Sequence, residues 1–267
     1  MTRTLPFVKM HGAGNDFVML DGRELDQPLA RAVIAGICDR RRGVGADGLI
    51  VIAPSRERDF RMIYWNADGG EAGMCGNGAR CSVEYAASLG LHDGRCVFDT
   101  SAGELSGVRH GPGDIEVTLT PWRDLVLDLE LEDSPWSEHH LCHTGVPHLV
   151  VPVADLEAVD VTTWGSRLRH HPHFGSEGVN VNWVAARGDG FALRTYERGV
   201  EDETLACGTG ASAAAVILCH LERAASPVTI HTRGGDELLI AVDPAAGALS
   251  LRGPATTSFE GKVTLDD

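Results

Sequence analysis

The chain carries the same short cysteine motif twice. The first cysteine box is Cys75-Gly-Asn-Gly-Ala-Arg80, and the second cysteine box is Cys207-Gly-Thr-Gly-Ala-Ser212. In each box, glycines leave the backbone N–H groups of a predicted helix start uncovered, and the helix dipole adds partial positive charge there. Such a surface binds a carboxylate, and the same field favours thiolate over thiol. The boxes therefore predict two cysteines that exchange protons near neutral pH.

The two boxes belong to an internal repeat. They lie 132 positions apart (207 − 75) in a chain of 267 residues. At that offset further identities align without a gap: His11 with His143, Tyr64 with Tyr196, Glu71 with Glu203, and Gly103 with Gly235. A repeat of this length predicts two similar halves, arranged as a pseudo-twofold pair of lobes with their thiols on opposite sides of one cleft. Two facing thiols suit removal of an α-proton from one face of an amino acid and its return to the other.

The composition argues against two classes of partner and indicates a cellular compartment. The chain has 38 acidic and 23 basic residues and a net charge of −15, which argues against nucleic acid and anionic membranes as partners. No segment approaches the roughly 20 apolar residues of a membrane span, and the N-terminus lacks the apolar core of a signal peptide. Seven cysteines without small-scaffold spacing favour a reduced, cytoplasmic protein.

Two further observations concern cofactors. The chain has only two lysines, Lys9 and Lys262. Pyridoxal phosphate enzymes hold their cofactor as a lysine Schiff base, and neither lysine lies in a phosphate-binding context. The histidine-rich stretches 139–143 and 170–173 lack the cysteine spacing of a zinc site, so we predict no metal. The predicted amino-acid chemistry is therefore free of cofactors.

Short apolar runs bounded by turn residues predict strands in both halves. These runs cover 17–20, 49–53, 60–65, 96–99, 115–119, 149–153, 181–185, 191–196, 228–231 and 248–251. Helical spacing predicts helices at 28–41 and 162–171, and a further helix follows each box, at 78–89 and 211–221. The last of these is apolar nearly all round, so we expect strands to wrap it.

The predicted fold class is α+β, with two pseudo-twofold-related lobes. Each lobe is predicted to be a curved, mostly antiparallel or mixed sheet wrapped around a central apolar helix. We predict the N-terminal lobe at 1–119, joined by the returning C-terminal segment 257–267, and the C-terminal lobe at 120–256. The active site is predicted in the cleft between them.

Four stretches closely resemble the diaminopimelate epimerase family. They are His11-Gly-Ala-Gly-Asn-Asp-Phe17, the segment 66–81 around the first box, Gly178-Val-Asn-Val-Asn182, and the segment 196–211 around the second box. The resemblance extends from about residue 7 to the end. It implies the fold of that family and inversion of one α-carbon of LL-2,6-diaminopimelate to give the meso form. This reaction needs neither cofactor nor metal and serves lysine and cell-wall precursor synthesis.

Matched residue by residue, the resemblance implies that Cys75 and Cys207 are the two acid/base thiols. Glu197 would hold the substrate ammonium and help to set the protonation of the thiols, and His148 would tune a cysteine. The residues that would offer backbone N–H groups to the reacting carboxylate are Gly76, Asn77, Gly208 and Thr209. Those that would bind the substrate through side chains are Asn15 near the reacting centre and Asn66, Asn180 and Arg198 at the distal end.

Two departures from the family pattern keep alternatives open. Val146 stands before Pro147 where the family often has asparagine, and Gly48 stands where some members place a glutamine contact. A related two-thiol racemase acting on another amino acid therefore remains an alternative. From a different class, a non-catalytic amino-acid-binding or thiol-redox protein is a second alternative.

The expected partner is a small-molecule amino acid, and a homodimer is a possible assembly.

Overall fold

The computed structural model describes residues 2–25, 27–73 and 75–266. The chain divides into two compact units. The first unit comprises Met1–Val117 and Gly253–Asp267, and the second comprises Thr118–Arg252. Many strands and few helices build both units, so the predicted α+β class is confirmed. Across the described ranges, no helix is both long and apolar enough to cross a membrane.

The elements alternate along the chain. Up to residue 119 they are β1 (Thr2–Gly12), β2 (Asn15–Asp21), α1 (Arg31–Cys38), β3 (Gly48–Ala53), β4 (Phe60–Asn66), α2 (Gly76–Ser88), β5 (Arg95–Thr100), β6 (Gly103–Gly111) and β7 (Asp114–Leu119). The rest are β8 (Arg123–Val126), β9 (His140–His143), β10 (Pro147–Pro152), α3 (Val161–Arg169), β11 (Asn180–Arg187), β12 (Gly190–Glu197), β13 (Asp202–Thr204), α4 (Gly208–His220), β14 (Val228–His231), β15 (Glu237–Asp243), β16 (Ala248–Pro254) and β17 (Thr256–Asp266). Each of the ten predicted strand segments overlaps one of these strands.

The strands of the first unit form a mixed sheet in the order β17–β1–β2–β3–β4–β5–β6–β7. The pairs β2–β3 and β4–β5 are parallel, and the others are antiparallel. Each parallel pair is joined by a connection that contains a helix, α1 in one case and α2 in the other. Such crossovers are how parallel neighbours are usually linked.

The second unit repeats this plan. Its order is β8–β9–β10–β11–β12–β14–β15–β16, and β13 also pairs with β12. The parallel pairs are β10–β11 and β12–β14, with α3 and α4 in their connections. From β9 to β16 the succession of parallel and antiparallel pairs matches that from β1 to β7. The internal repeat read from the sequence is thus a repeat of sheet topology.

In the first unit the two faces of the sheet cover different helices. Val18 and Leu20 of β2 pack in one apolar cluster with Ile34 of α1, whereas Phe17, on the opposite face, lies beside Gly78 of α2. This alternation follows from the two-residue period of a strand. Helix α1 covers only Arg31–Cys38 of the predicted 28–41. The chain then turns back and Val44 donates its N–H to the carbonyl of Ile37.

The second unit follows the same rule. Leu149 and Trp183 pack with Leu168 of α3 in one apolar cluster. On the other face Asn182 of β11 lies against Gly210 of α4. Helix α2 contacts β1, β2, β3, β4 and β6, and helix α4 contacts β9, β10, β11, β14 and β15. Each sheet therefore wraps a central helix, as predicted. The pseudo-twofold relation of the two lobes stays a prediction.

The close approach of Asn182 to Gly210 generates a stability prediction. A Cβ atom at position 210 would overlap Asn182 Oδ1, which is buried in a hydrogen-bond network. We expect Gly210→Ala to lower the free energy of unfolding by about 1–3 kcal/mol because an overpacked core must shift. The matched control is Gly36→Ala in α1, where a Cβ meets nothing within 4 Å. This control should stabilise the helix by up to about 1 kcal/mol. Urea unfolding followed by circular dichroism measures both, and equal stability of Gly210→Ala and wild type would contradict the packing argument.

Candidate active site

The two cysteines Cys75 and Cys207 occupy the same place in their units. Each is the N-cap residue of a 13-residue helix, with an extended backbone (φ −129° and −122°) and a carbonyl that accepts the first helical hydrogen bond, from Ala79 or Ala211. The first N–H groups of an α-helix have no acceptor within the helix, and they carry its partial positive charge. Gly76, Asn77, Gly208 and Thr209, the four predicted N–H donors, lie in these first turns. The prediction that each box begins a helix is confirmed.

The other five cysteines differ in position, since none of them is the N-cap residue of a described helix. Burial raises the pKa of Cys38 to about 11 and the pKa values of Cys81, Cys96 and Cys142 to about 12, and it raises that of Cys219 as well. All five are free thiols in the apolar interior or at its edge, as the sequence predicted. They are held in the protonated form at neutral pH, whereas an N-cap position favours the thiolate.

In the first unit a side-chain network contacts the first box. The Cys75 thiol donates to Asn15 Oδ1 at 3.5 Å, and Asn77 Nδ2 donates to the same oxygen at 3.3 Å. Asn15 in turn donates its amide hydrogen to Asp47 Oδ2 at 2.8 Å. The fully buried Arg80 donates to Asn77 Oδ1 at 2.9 Å and to the carbonyl of Gly76 at 3.2 Å. The structure therefore brings together three predicted residues, Cys75, Asn77 and Asn15.

Asp47 and Arg80 were not predicted to belong to this network. Asp47 also pairs with Arg40, which bridges it to Asp16 at 2.8 Å. Burial alone would raise the pKa of Asp16, but hydrogen bonds from Arg40 and Lys9 hold it well below its usual value. The contribution of Asp47 could not be read from the sequence, because Asp47 lies 32 positions from Asn15 and its glycine-rich surroundings indicated only a turn. Arg80 stands in the first box itself, three positions after Asn77.

The two lysines of the chain lie in different surroundings. Lys9 is buried, and its ammonium lies 2.7 Å from Asp16 Oδ2 and donates to the carbonyl of Gly45. The other lysine, Lys262, is exposed on β17. Lys9 is thus engaged with two partners inside the first unit, whereas Lys262 lies at the surface.

Asn66, a predicted distal-end contact, is the last residue of β4. Its side chain is exposed, and its Oδ1 accepts a hydrogen bond from the hydroxyl of Tyr64 at 3.3 Å. Its backbone N–H and carbonyl are hydrogen-bonded to Gly70 and Gly69 within a tight turn. The side chain is therefore the part of Asn66 that can reach a ligand.

In the second unit a buried polar network lies beneath the second box. His148 on β10 is fully buried, and its Nδ1 accepts from Asn182 Nδ2 at 3.1 Å. Asn182 also donates to the carbonyl of Leu149 and accepts from the hydroxyl of Thr195 at 2.9 Å, which fixes the orientation of its amide. The proton of the His148 ring therefore lies on Nε2. That nitrogen is buried and has no hydrogen-bond partner among the residues that the structure describes.

Burial lowers the pKa of His148 to about 3, and the positive charge of Arg198 contributes in the same direction. His148 is thus a neutral group at physiological pH. Asn182, which orients it, was not predicted as a site residue. Its signal in the sequence was a second asparagine, two positions after Asn180, in a strand that is otherwise apolar and buried.

The remaining predicted residues lie at the ends of β11 and β12. Asn180 Oδ1 accepts from the backbone N–H of Arg198 at 2.8 Å, and its Nδ2 donates to the carbonyl of Pro147 at 3.1 Å. The Arg198 guanidinium is partly exposed and lies 3.8 Å from the carboxylate of Glu177, whose side chain is 89% exposed. Glu197 Oε2 accepts from Thr204 Oγ1 at 3.0 Å. Asn180 is therefore a residue that positions Arg198, and one hydrogen of its amide remains for a ligand.

Thr209 contributes more than its backbone. Its hydroxyl lies 3.5 Å from the sulfur of Cys207, so either group can donate to the other. Its carbonyl accepts from the hydroxyl of Thr144 at 2.8 Å. In the first unit the counterpart of Thr144 at the 132-residue offset is Gly12, and a Cβ there would lie 2.9 Å from the carbonyl of Asn77. In both units, then, the second residue of the helix is contacted from the end of the first strand of the repeat, by Gly12 at the end of β1 and by Thr144 directly after β9.

The neutral, buried state of His148 generates a prediction about pH. In the unfolded chain its imidazole takes up a proton below about pH 6.5, whereas in the folded chain it does so only near pH 3. The free energy of unfolding should therefore fall as the pH drops through this window, by about 1.4 kcal/mol per pH unit from this group. We expect His148→Gln to lose this contribution, so that urea unfolding between pH 6 and 4 shows a shallower slope. The exposed His173→Gln is the matched control, and identical slopes for His148→Gln and wild type would contradict the assignment.

The chain is similar to known proteins in sequence and in fold. The chain matches the family described as diaminopimelate epimerase over residues 7–120 and 141–257. It is 37% identical to the diaminopimelate epimerase of Chlorobaculum tepidum, over 96% of this chain and 100% of that one, and 40% identical to that of Azoarcus, over 97% and 98%. Its fold is similar to that of a hydroxyproline epimerase from Agrobacterium vitis, with a TM-score of 0.72 and 17% identity over 99% of this chain and 94% of that one. The chain belongs to the diaminopimelate epimerase family.

Proposed function

We propose that the chain epimerises LL-2,6-diaminopimelate to meso-diaminopimelate, with Cys75 and Cys207 as the two acid/base thiols. The observation that carries this proposal is the placement of both cysteines as N-caps of matching helices. Family membership over nearly the whole chain supports the substrate assignment.

The proposed step exchanges one proton for another. The thiolate of one cysteine takes the α-proton, so that a C–H bond breaks and an S–H bond forms. The thiol of the other cysteine delivers its proton to the opposite face of the same carbon. The two sulfurs finish with their protonation states exchanged, and no electrons leave the substrate. Two groups are needed because a single base returns the proton to the face from which it came.

The helix starts supply the stabilisation that this step needs. Loss of the α-proton places negative charge on the carboxylate of the substrate. In the proposal the N–H groups of Gly76, Asn77, Gly208 and Thr209 donate to that carboxylate as the charge develops. Donors that are already oriented by the helix cost no reorganisation at that moment, and such groups commonly contribute about 3–4 kcal/mol each. Glu197 is proposed to hold the ammonium beside the reacting carbon.

The side chains at the strand ends are assigned to the distal end of the substrate. A guanidinium presents a planar pair of donors that matches a carboxylate, and Asn180 holds the backbone that carries it. Asn66 adds an exposed carboxamide, and Asn15 is proposed to contact the substrate near the reacting carbon. His148 is proposed to act on a cysteine as a neutral group, through its Nε2 hydrogen.

The proposal includes a small-molecule amino acid as the partner and the cytoplasm as the location. Cys38 and Cys96 support a reducing compartment, since they are free thiols in a folded protein.

The first test is exchange of the α-proton in heavy water. Wild type should incorporate deuterium into LL-diaminopimelate and convert it to the meso form. Cys75→Ser and Cys207→Ser should each lower the rate of epimerisation by about a hundred- to ten-thousandfold, because a serine hydroxyl is too weak an acid to replace the thiol. Cys219→Ser, at the half-buried end of α4, is the control and should keep wild-type activity. Full turnover by either N-cap variant would refute the two-thiol mechanism, and exchange only with another amino acid would refute the substrate.

The second test concerns Arg198. We expect Arg198→Lys to raise the KM for diaminopimelate by about ten- to a hundredfold, because lysine is a point charge and loses the paired donors. The control is Arg187→Lys, an exposed arginine at the end of β11, which should leave KM unchanged. Steady-state kinetics with both variants decide the point. If Arg198→Lys retains the wild-type KM, the distal carboxylate is bound by other residues.

A further inference from the structure

The space beside Asn66 is organised differently from what the family pattern suggests. Gly48 of β3 is the direct cross-strand neighbour of Asn66 of β4, so a side chain at position 48 would be the natural companion of the Asn66 carboxamide. In this chain that place is filled. A Cβ on Gly48 would lie 2.6 Å from Cε2 of Tyr64 and 2.5 Å from the carbonyl oxygen of Trp65. The Tyr64 ring therefore occupies the space that a side chain at position 48 would need.

The Tyr64 ring is aimed at Asn66 by the strand and by its packing. Tyr64 and Asn66 are two positions apart on β4, so both side chains are on the same face of the sheet. The ring packs edge to face against Phe17, with 5.7 Å between ring centroids and 82° between planes. Phe17 is fully buried and is the neighbour of Gly48 on β2, the strand on the other side of β3. The ring thus lies across Gly48, between Phe17 and Asn66.

The hydroxyl of Tyr64 donates to Asn66 Oδ1 at 3.3 Å. A carboxamide has an acceptor end and a donor end, and the contact turns the oxygen of Asn66 toward Tyr64. Its amide hydrogens then point away from the ring. Since the backbone groups of Asn66 are engaged in the turn to Gly69 and Gly70, these hydrogens are what the residue offers to a ligand. An amide donor pair suits a carboxylate rather than an ammonium.

We propose that Tyr64 is a positioning residue that sets the Asn66 carboxamide as a donor to a carboxylate of the substrate, in place of a side chain at position 48. This role rests on the proposed function, because it assigns Asn66 to the distal end of diaminopimelate. It also explains how the chain keeps a distal contact despite Gly48. Tyr64 acts through Asn66 and takes no part in proton transfer at the α-carbon.

The test is a double-mutant cycle in steady-state kinetics with LL-diaminopimelate. Tyr64→Phe keeps the ring and removes the hydroxyl, and we expect the KM to rise about three- to tenfold, the range of one neutral hydrogen bond, with kcat within twofold of wild type. Asn66→Ala should raise the KM at least as much. In the Asn66→Ala background, Tyr64→Phe should have no further effect on KM, because its target is gone.

The matched control is Tyr196→Phe. Tyr196 aligns with Tyr64 at the 132-residue offset, but it pairs with Val181 in the sheet and its ring packs against Gly165 of α3, in the apolar cluster of the second unit. We expect its KM to stay within twofold of wild type. An unchanged KM in Tyr64→Phe, a loss confined to kcat, or equal effects of Tyr64→Phe with and without Asn66 would each overturn the positioning role. A wild-type chain inactive on LL-diaminopimelate would instead overturn the proposed function, and this role with it.

Discussion

The start of an α-helix is the constraint on which the structure depends. A cysteine at the N-cap needs an extended backbone, and the residues after it must leave their N–H groups open to a ligand. Strands pack closely against each first turn, and Gly78 and Gly210 permit this approach because they have no side chain on the face toward the sheet. The two sheets, with their helix-bearing crossovers, hold these two turns in place. Because the topology is repeated, each unit places a cysteine at the N-cap of an equivalent helix.

The scaffold is duplicated, but the groups around the two thiols differ. In the first unit an asparagine anchored by Asp47 contacts the sulfur of Cys75, within a surface-lying ion-pair cluster. In the second unit the polar groups are neutral and buried, and they centre on His148 and Asn182. At the 132-residue offset Asn66, the last residue of β4, aligns with Arg198, which follows the end of β12, and the two differ in chemistry. Sheets fix where the side chains lie, and single substitutions within the repeat then give each thiol its own surroundings.

Local patterns predicted those parts of the structure that depend on neighbours in sequence. Glycines and small residues after each cysteine indicated the helix starts, and apolar runs such as 49–53 and 181–185 indicated buried strands. Strands β1 and β17 were missed because their apolar residues are interrupted by Pro6 and by polar side chains, and their pairing joins the two ends of the chain. The contacts of Asp47 and Asn182, and the position of the Tyr64 ring beside Gly48, were missed for a related reason. They depend on cross-strand register and on hydrogen bonds between distant segments, which no local pattern encodes.

The contrast among the seven thiols has a consequence for covalent chemistry. Burial raises the pKa of five of them, and a protonated thiol is a poor nucleophile toward an electrophilic reagent. The two N-cap cysteines each stand beside the backbone donors of a helix start, which favour the thiolate and would also bind the anionic end of such a reagent. An electrophile built on an amino acid should therefore label the two boxes in preference to the other five cysteines.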